Sequence, residues 1–125
     1  MIEYINGNPE YWKNTCYIAS KVQVIVDDDD NEISVYSEPI KYKFNYQPIS
    51  SDADLAEFGE KAKMMKRAVI PIMYKGMFKE FDVAYLDDVT PDGESVYGEN
   101  ANYRLLPPRN GNAVIIIYFE RLTGK

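Results

Sequence analysis

The chain has 125 residues, of which 20 are acidic and 14 basic, and it carries a formal net charge of −6 with no histidine and one cysteine. This length fits about one domain, and the acidic balance argues against nucleic-acid binding through bulk charge attraction. Without histidine the chain cannot build a Ser-His-Asp or Cys-His catalytic set. The lone Cys16 cannot form an internal disulfide, and we interpret it as a buried small hydrophobe.

The first 14 residues predict an arm or an overlying loop, because a turn-rich Asn-Gly-Asn-Pro stretch at 6–9 is combined with few apolar residues. They lack the basic and apolar regions of a secretory signal peptide. No apolar run in the chain approaches the roughly 20 residues that a membrane-spanning helix needs. We therefore expect a protein made and kept in the cytoplasm, with no membrane partner.

Residues 15–36 predict a β-hairpin whose turn is strongly acidic. Residues 15–26 read as a strand with alternating apolar positions, and 33–36 read as a short returning strand. The turn between them carries five carboxylates, on Asp27, Asp28, Asp29, Asp30 and Glu32. Such a run resists packing and suits an exposed tip. It lacks the glycine and glutamate spacing of an EF-hand loop, so it does not predict a metal site.

Residues 40–66 predict a strand followed by a helix. Apolar Ile40, Tyr42, Phe44 and Tyr46 alternate with polar residues, which is typical of a strand with one wet face. Ser51 begins a helix over about 51–66 by capping its first turn. An apolar stripe along this helix predicts that it covers an opening or edge of the sheet. Basic residues gather towards its end, at Lys61, Lys63, Lys66 and Arg67.

The second half predicts further strands and one long polar loop. Residues 68–74 and 77–86 predict a hairpin with its turn at Lys75 and Gly76, in which Pro71 favours an edge strand. Residues 87–100 predict a loop of the kind that often contacts partners. A short strand at 102–106 precedes the continuously apolar 113–119, which predicts a strand buried on both faces. The fold expected is a mainly β, single-domain chain over 1–125: a small β-barrel of about six to seven antiparallel strands with one short α-helix.

No group of residues predicts catalysis. The acidic pairs Glu80/Asp82 and Asp87/Asp88 are interpreted as solvated faces, and neither glycine-rich phosphate-binding motif occurs. We expect neither an enzyme nor a cofactor or metal. We interpret Tyr42, Phe44 and Tyr46 as core residues rather than a base-stacking platform, because the neighbouring Lys41 and Lys43 lie on the opposite strand face.

The order of the motifs over residues 40–121 resembles the small head–tail joining proteins of long-tailed bacteriophages, in the head-closure or stopper group. The matching segments are the strand and helix entry KFNYQPIS at 43–50, the stretch YKGMFKEFDVAYL at 74–86, NANYR at 100–104, and IIYFE at 116–120. The resemblance implies a virion neck protein, assembled in the bacterial host cytoplasm. It implies a ring homo-oligomer, a hexamer or a dodecamer, between portal or adaptor proteins and the tail terminator or tail. This ring would close the DNA exit after packaging, dock the tail and let double-stranded DNA pass transiently.

Within that hypothesis three sets of residues are candidate interaction sites. The candidate lumen or gating loop is Asp27, Asp28, Asp29, Asp30 and Glu32. The candidate partner-contact loop is Asp87, Asp88, Asp92, Glu94, Tyr97 and Glu99. The candidate inter-subunit residues are Tyr4, Tyr11 and Trp12 in the 1–14 arm, and Ile115 and Ile117 in the last strand.

Two alternatives stay open. One is a nucleic-acid-binding β-barrel that uses Lys41, Lys43 and the basic end of the helix, and it predicts DNA retention that falls steeply with salt. The other is a tail-completion protein of related architecture.

Overall fold

The computed structural model describes residues 15–87, 89–91 and 100–122, and these residues form a mainly β fold with one short α-helix. The described strands are β1 Cys16–Ala19, β2 Lys21–Val26, β3 Glu32–Tyr36, β4 Ile40–Tyr42, β5 Tyr46–Pro48, β6 Met65–Pro71, β7 Val83–Tyr85, β8 Tyr103–Leu105, β9 Arg109–Asn110 and β10 Val114–Arg121. The helix α1 is Asp52–Phe58, and short 3-10 turns cover Gly59–Met64 and Ile72–Tyr74. The predicted fold class is confirmed.

The main sheet is antiparallel and curled. Its strands follow the order β4-β1-β7-β8-β10-β6-β5, with β9 paired beside β10. β4 and β5 form opposite edges, yet only residues 43–45 separate them in the chain. Four residue steps from Tyr42 to Tyr46 span at most about 14 Å, whereas seven strands in a flat sheet would be about 29 Å wide. The sheet must therefore curl until its edges approach, which gives the barrel-like shape.

The core lies on the concave face of this sheet, and β10 runs through its middle. β10 pairs with β6 along one side and with β8 and β9 along the other. Ile115, Ile117 and Phe119 are buried towards the concave core, while Tyr118 is buried on the opposite face. The prediction of a final strand buried on both faces is confirmed only in part, because on the outer face Tyr118 is buried while Ile116 is half-buried and Val114 is exposed. A second, smaller cluster of buried residues includes Ala19, Val83, Tyr85 and Ala101.

The helix begins as predicted but is shorter. The Ser51 hydroxyl accepts a hydrogen bond from the Asp54 backbone N–H at 3.2 Å, and the α-helix ends before Gly59, which adopts a positive φ of 57°. Its Phe58 ring packs against Tyr118 at a centroid distance of 4.9 Å. Leu55 stays exposed. The helix therefore packs on the outer face of the sheet, and its apolar stripe is only partly covered.

Three predicted strand assignments are wrong. Residues 40–46 are not one strand, since β4 ends at Tyr42 and β5 begins at Tyr46 on the opposite edge of the sheet. Residues 15–26 are not one strand, since the chain leaves the main sheet at Ser20 and β2 pairs only with β3. Residues 68–74 and 77–86 are not a hairpin: β6 pairs with β5 and β10, while β7 pairs with β1 and β8. The turn at Gly76 does form, with a φ of 84°, but pairing with distant strands decides where the flanking chain goes.

Candidate interaction surfaces

The predicted acidic hairpin exists and projects as a separate two-stranded sheet. We call it the hairpin arm and define it as residues 21–36, which comprise β2, β3 and their turn. Its strands pair only with each other in the described chain. Val22, Val24 and Val26 are 59%, 46% and 63% exposed. The arm therefore presents apolar side chains that the described residues leave uncovered.

The tip of the hairpin arm is ordered by its first aspartate. The Asp27 carboxylate accepts hydrogen bonds from the backbone N–H groups of Asp29 and Asn31, both at 2.9 Å. Asp30 takes the left-handed backbone conformation, with a φ of 63°. The described residues include no group of three or more side chains placed to hold a metal ion. The candidate lumen residues Asp27, Asp28, Asp29, Asp30 and Glu32 thus lie on or beside one exposed turn, and their facing a channel stays a prediction.

The root of the hairpin arm is held by Asp82, which sequence reasoning placed on a solvated face. That interpretation is wrong, because Asp82 is only 2% exposed. Its carboxylate accepts hydrogen bonds from the backbone N–H groups of Lys79 at 2.9 Å and Lys21 at 3.3 Å, and from the Ser20 hydroxyl at 3.5 Å. Burial raises the pKa of Asp82 and these hydrogen bonds oppose the rise. The spacing of Glu80 and Asp82 gives no signal of this, since two of the three donors, Ser20 and Lys21, come from a distant segment.

A second pair of contacts fixes the direction in which the hairpin arm leaves the barrel. The Ser37 backbone N–H donates to the Ser20 carbonyl at 2.7 Å, and the Ser20 N–H donates to the Ser37 hydroxyl at 2.9 Å. With Asp82, these bonds tie both strands of the arm at their base. The hairpin arm is therefore attached to the barrel by hydrogen bonds at the base of both of its strands.

The start of the predicted partner-contact loop is anchored in the fold. The Asp87 carboxylate accepts hydrogen bonds from Lys66 at 2.8 Å and from the Tyr103 hydroxyl at 3.2 Å, while its N–H donates to the Tyr46 hydroxyl at 2.8 Å. Asp87 therefore organises the end of β7 and is already engaged within the chain. The remaining candidates of this loop, Asp88, Asp92, Glu94, Tyr97 and Glu99, lie outside the described residues.

The candidate inter-subunit residues divide in two. Tyr4, Tyr11 and Trp12 lie outside the described residues, so their role stays a prediction. Ile115 and Ile117 are 2% and 0% exposed in the chain's own core. The structure does not support an inter-subunit role for these two isoleucines, because β6, β8 and β9 flank their strand and their side chains point inward.

The basic cluster at the end of the helix is neutralised within the chain. Each of its four cations lies within 4.0 Å of a carboxylate. The pairs are Lys61–Glu120 at 3.3 Å, Lys63–Glu60 at 3.0 Å, Lys66–Asp87 at 2.8 Å and Arg67–Asp54 at 3.4 Å. Phosphate contact would have to compete with these carboxylates, so this cluster offers little to a nucleic acid.

A different basic surface stands open, and we call it the lysine end. It comprises residues 40–43 and 73–77, which meet because the Tyr42 ring contacts the Tyr74 ring at 6.0 Å. Its exposed lysines, Lys41, Lys43 and Lys75, form no ion pair with any residue the structure describes. Its exposed apolar residues are Ile40, Met73 and Met77, at 55%, 76% and 47%.

The aromatic residues beside the lysine end pack as predicted. Phe44 and Tyr46 are buried, and Tyr42 stacks on Phe44 with ring centroids 4.8 Å apart. The interpretation of Phe44 and Tyr46 as core residues is confirmed. Tyr42 is half-buried against the same cluster, so it supports the core without being fully enclosed.

A polar cleft of about 300 Å³ lies between the start of α1 and the outer face of β5 and β6. It is lined by Asn45, Gln47, Pro48, Ser50, Ser51, Asp54, Arg67 and Val69. The Tyr118 hydroxyl donates to the Asp54 carboxylate at 2.6 Å, and Arg67 Nε lies 3.4 Å from the same carboxylate. Arg109 stacks over the Tyr118 ring at 4.8 Å and pairs with Glu57. These groups hold the helix on the sheet, and Asp54 is thereby engaged within the fold.

No described helix has both the length and the apolar character needed to cross a membrane. No family model matches the chain, and no curated protein or solved structure matches it either.

Proposed function

We propose that this protein is a structural ring component of a bacteriophage neck. In this role it sits between the portal or adaptor and the tail, closes the DNA exit after packaging, and gives the tail a docking surface. The observation that carries the proposal is the hairpin arm, a projecting two-stranded element that ends in four consecutive aspartates. The motif order over residues 40–121 supports the same assignment.

The charge of the tip suits a surface that DNA must pass without adhering. Carboxylates repel phosphates, and repulsion between exposed charges is screened beyond about 8–10 Å at physiological salt. Only elements that approach the duplex closely can therefore act in this way. The hairpin arm has such reach, since its six-residue β2 extends about 20 Å at the usual rise of ~3.4 Å per residue.

The hydrogen bonds at the arm root support a gating role for the tip. Asp82 and the Ser20–Ser37 bonds hold the base of the arm, so the position of the tip is tied to that of the barrel. A ring that moved its barrels would move its tips with them. The proposed partners are portal or adaptor proteins above the ring and tail terminator or tail proteins below it.

The test removes the gene from the phage that carries it and supplies variants from a plasmid. Particles without the protein should package DNA, leak it and carry no tails, as seen by electron microscopy and nuclease protection. Particles that keep tails and DNA without this protein would refute the proposal. Stable filled heads beside free tails would favour the tail-completion alternative instead.

A tip variant separates gating from assembly. Asp28→Asn with Asp29→Asn removes two charges but keeps Asp27, whose carboxylate orders the turn. Glu80→Asn, which removes an exposed charge outside the arm, is the matched control. We expect the tip variant to assemble tailed particles but to change DNA retention or ejection, and the control to behave as wild type.

A nucleic-acid-binding module is the second candidate, and the lysine end is the observation that favours it. Its three lysines carry no ion pair within the described chain and stand beside half-buried tyrosines. Direct binding predicts DNA retention that falls steeply with salt, and Lys41→Glu with Lys43→Glu should abolish it.

A further inference from the structure

We propose that the hairpin arm of one copy docks on the lysine end of a second copy of this chain. The exposed valines of the arm would cover the exposed Ile40, Met73 and Met77, and the acidic tip would meet Lys41, Lys43 and Lys75. This inference rests on the proposed ring and names the contact by which neighbouring subunits join.

The two surfaces are separate parts of the chain that both adjoin β1. β4 runs antiparallel to β1, so that Ile40 pairs with Ile18 and Tyr42 pairs with Cys16. Tyr42 and the following Lys43 are therefore placed towards Cys16, Ile40 lies beside Ile18, and the hairpin arm leaves β1 after Ala19. Docking between copies is then head to tail, which is a heterologous contact. Such contacts repeat, and they generate a closed ring when the rotation between subunits closes.

Each surface carries exposed apolar side chains. Val22, Val24 and Val26 lie on the arm, and Ile40, Met73 and Met77 lie at the lysine end. These six account for most of the large apolar side chains that the described residues leave exposed. The rest are Leu55, Met64, Phe81 and Val114. A two-stranded hairpin is marginally stable alone and gains support by packing. Grouped exposed apolar residues rimmed by charge are typical of interaction sites.

Charge selects a second copy as the occupant and sets its orientation. The chain has a net charge of −6, so two copies repel unless an acidic surface of one meets a basic surface of the other. The tip is the densest acidic run, with residues 27–30 all aspartate. The lysine end offers cations that form no ion pair with the described residues, beside its exposed apolar residues. Opposite charges at the rim steer association and exclude the wrong orientation.

The direct test is zero-length carbodiimide cross-linking, which joins carboxylates to lysines only when they touch. Unlabelled and ¹⁵N-labelled full-length proteins are mixed, so that mass spectrometry separates cross-links between copies from those within one. Concentrations up to about 1 mM are used, where even a contact with a Kd of ~1 mM is half formed. We expect mixed-isotope cross-links between residues 27–32 and Lys41, Lys43 or Lys75. Cross-links between copies only at other positions, or none at all, would overturn the inference.

A charge-reversal mixing experiment gives an independent readout. One variant carries Asp28→Lys and Asp29→Lys, and the other carries Lys41→Glu and Lys43→Glu. Each alone should associate about tenfold more weakly than wild type, because like charges then face each other. Mixed in equal amounts, the two should regain association, since each reversed surface finds its complement. Sedimentation velocity measures the association, and circular dichroism checks that each variant is folded.

Controls separate this contact from other causes. Exchanging the exposed pair by Glu60→Lys with Lys63→Glu keeps the net charge and should leave association unchanged. Val24→Ser with Val26→Ser should weaken association without changing the unfolding midpoint by much, because both valines are exposed. Valine variants that associate as wild type does would contradict the docking surface.

The outcomes distinguish this inference from the proposed function. One outcome is that particles without the protein leak DNA and lack tails, while the charge variants associate as wild type does. That outcome would overturn the proposed contact and leave the ring proposal standing. Normal particles without the protein would overturn the ring, whatever the cross-links show. Double-stranded DNA that binds with a steep salt dependence and abolishes the cross-links would assign the lysine end to nucleic acid and overturn the docking of a second copy.

Discussion

Replacing Asp82 with alanine should lower the free energy of unfolding by about 2–3 kcal/mol. The buried carboxylate accepts two backbone N–H groups, from Lys79 at 2.9 Å and Lys21 at 3.3 Å, besides a longer contact from Ser20. A buried donor left without its acceptor costs roughly 1–3 kcal/mol. Lys79 and Lys21 are exposed residues, so water can reach part of the freed backbone. The two freed donors together would cost roughly 2–6 kcal/mol, and the value expected here lies at the low end of that range.

Urea unfolding followed by circular dichroism measures this loss, and hydrogen exchange localises it. The Lys21 amide should exchange faster in the variant, since its acceptor is gone. Glu80→Ala, two residues away and exposed, is the matched control and should stay within about 0.5 kcal/mol of wild type. A loss below about 1 kcal/mol for Asp82→Ala would refute the reasoning, because it would mean that the carboxylate does not hold the arm root.

The pH dependence of the same site has a defined sign. Burial raises the pKa of Asp82 above its unfolded value, against the pull of its hydrogen bonds. The stability linked to this shift is therefore fully present below the unfolded pKa and is lost as pH rises through the folded pKa. The asparagine of Asp82→Asn does not titrate. The free energy of unfolding of wild type minus that of this variant should therefore decrease as pH rises from about 3 to 7. An increase of this free-energy difference with rising pH would contradict a raised pKa for Asp82.

Three further predictions test other parts of the fold. Ile117→Ala, at a fully buried position, should cost about 2–5 kcal/mol in urea unfolding; a cost typical of a surface site would contradict the central placement of β10. Burial acts to raise the pKa of Glu120, but hydrogen bonds from Arg104 and Lys61 outweigh it and lower that pKa, so stability should fall as pH drops through the folded pKa. Glu120→Gln should make the free energy of unfolding depend less on pH between about pH 3 and 6. The same pH dependence in wild type and variant would contradict the lowered pKa of Glu120. Burial raises the pKa of the Cys16 thiol to about 12, so a thiol reagent should modify it only as the chain unfolds in urea; rapid modification of the native protein would show the site to be open.

Local sequence patterns correctly predicted the features that depend on residues close together in the chain. The acidic run at 27–30 predicted an exposed turn because adjacent carboxylates resist burial, and the structure places that run at a hairpin tip. Ser51 predicted the helix start because a hydroxyl at that position caps the first turn, and it does so through the Asp54 N–H. The apolar run at 113–119 predicted a central strand, since only a strand covered on both faces can bury consecutive apolar side chains.

Patterns failed where a distant segment competed with a near one. The turn at Lys75 and Gly76 is real, yet β6 runs beside β10, some fifty residues further along, and not beside β7. Apolar residues recur on one face at Ile18, Val22, Val24 and Val26, so the pattern favoured one strand, although the chain changes sheets at Ser20. The spacing of residues within a segment carries no information about a strand that is distant in the sequence. Strand pairing depends on such distant segments, so it could not be predicted from local patterns.

The sequence by itself determined that this is a mainly β chain with one short capped helix, a polar acidic turn and no histidine-based chemistry. Those properties follow from residue types and from the repeat of apolar residues, every two positions in a strand and every 3.6 in a helix. Both can be recognised within a few residues. Only the tertiary structure decided which charges remain available. It paired the helix-end lysines with carboxylates, buried Asp82 under the arm and left the lysine end open. Charge availability depends on which groups meet across the fold, and that is set by the packing of distant strands.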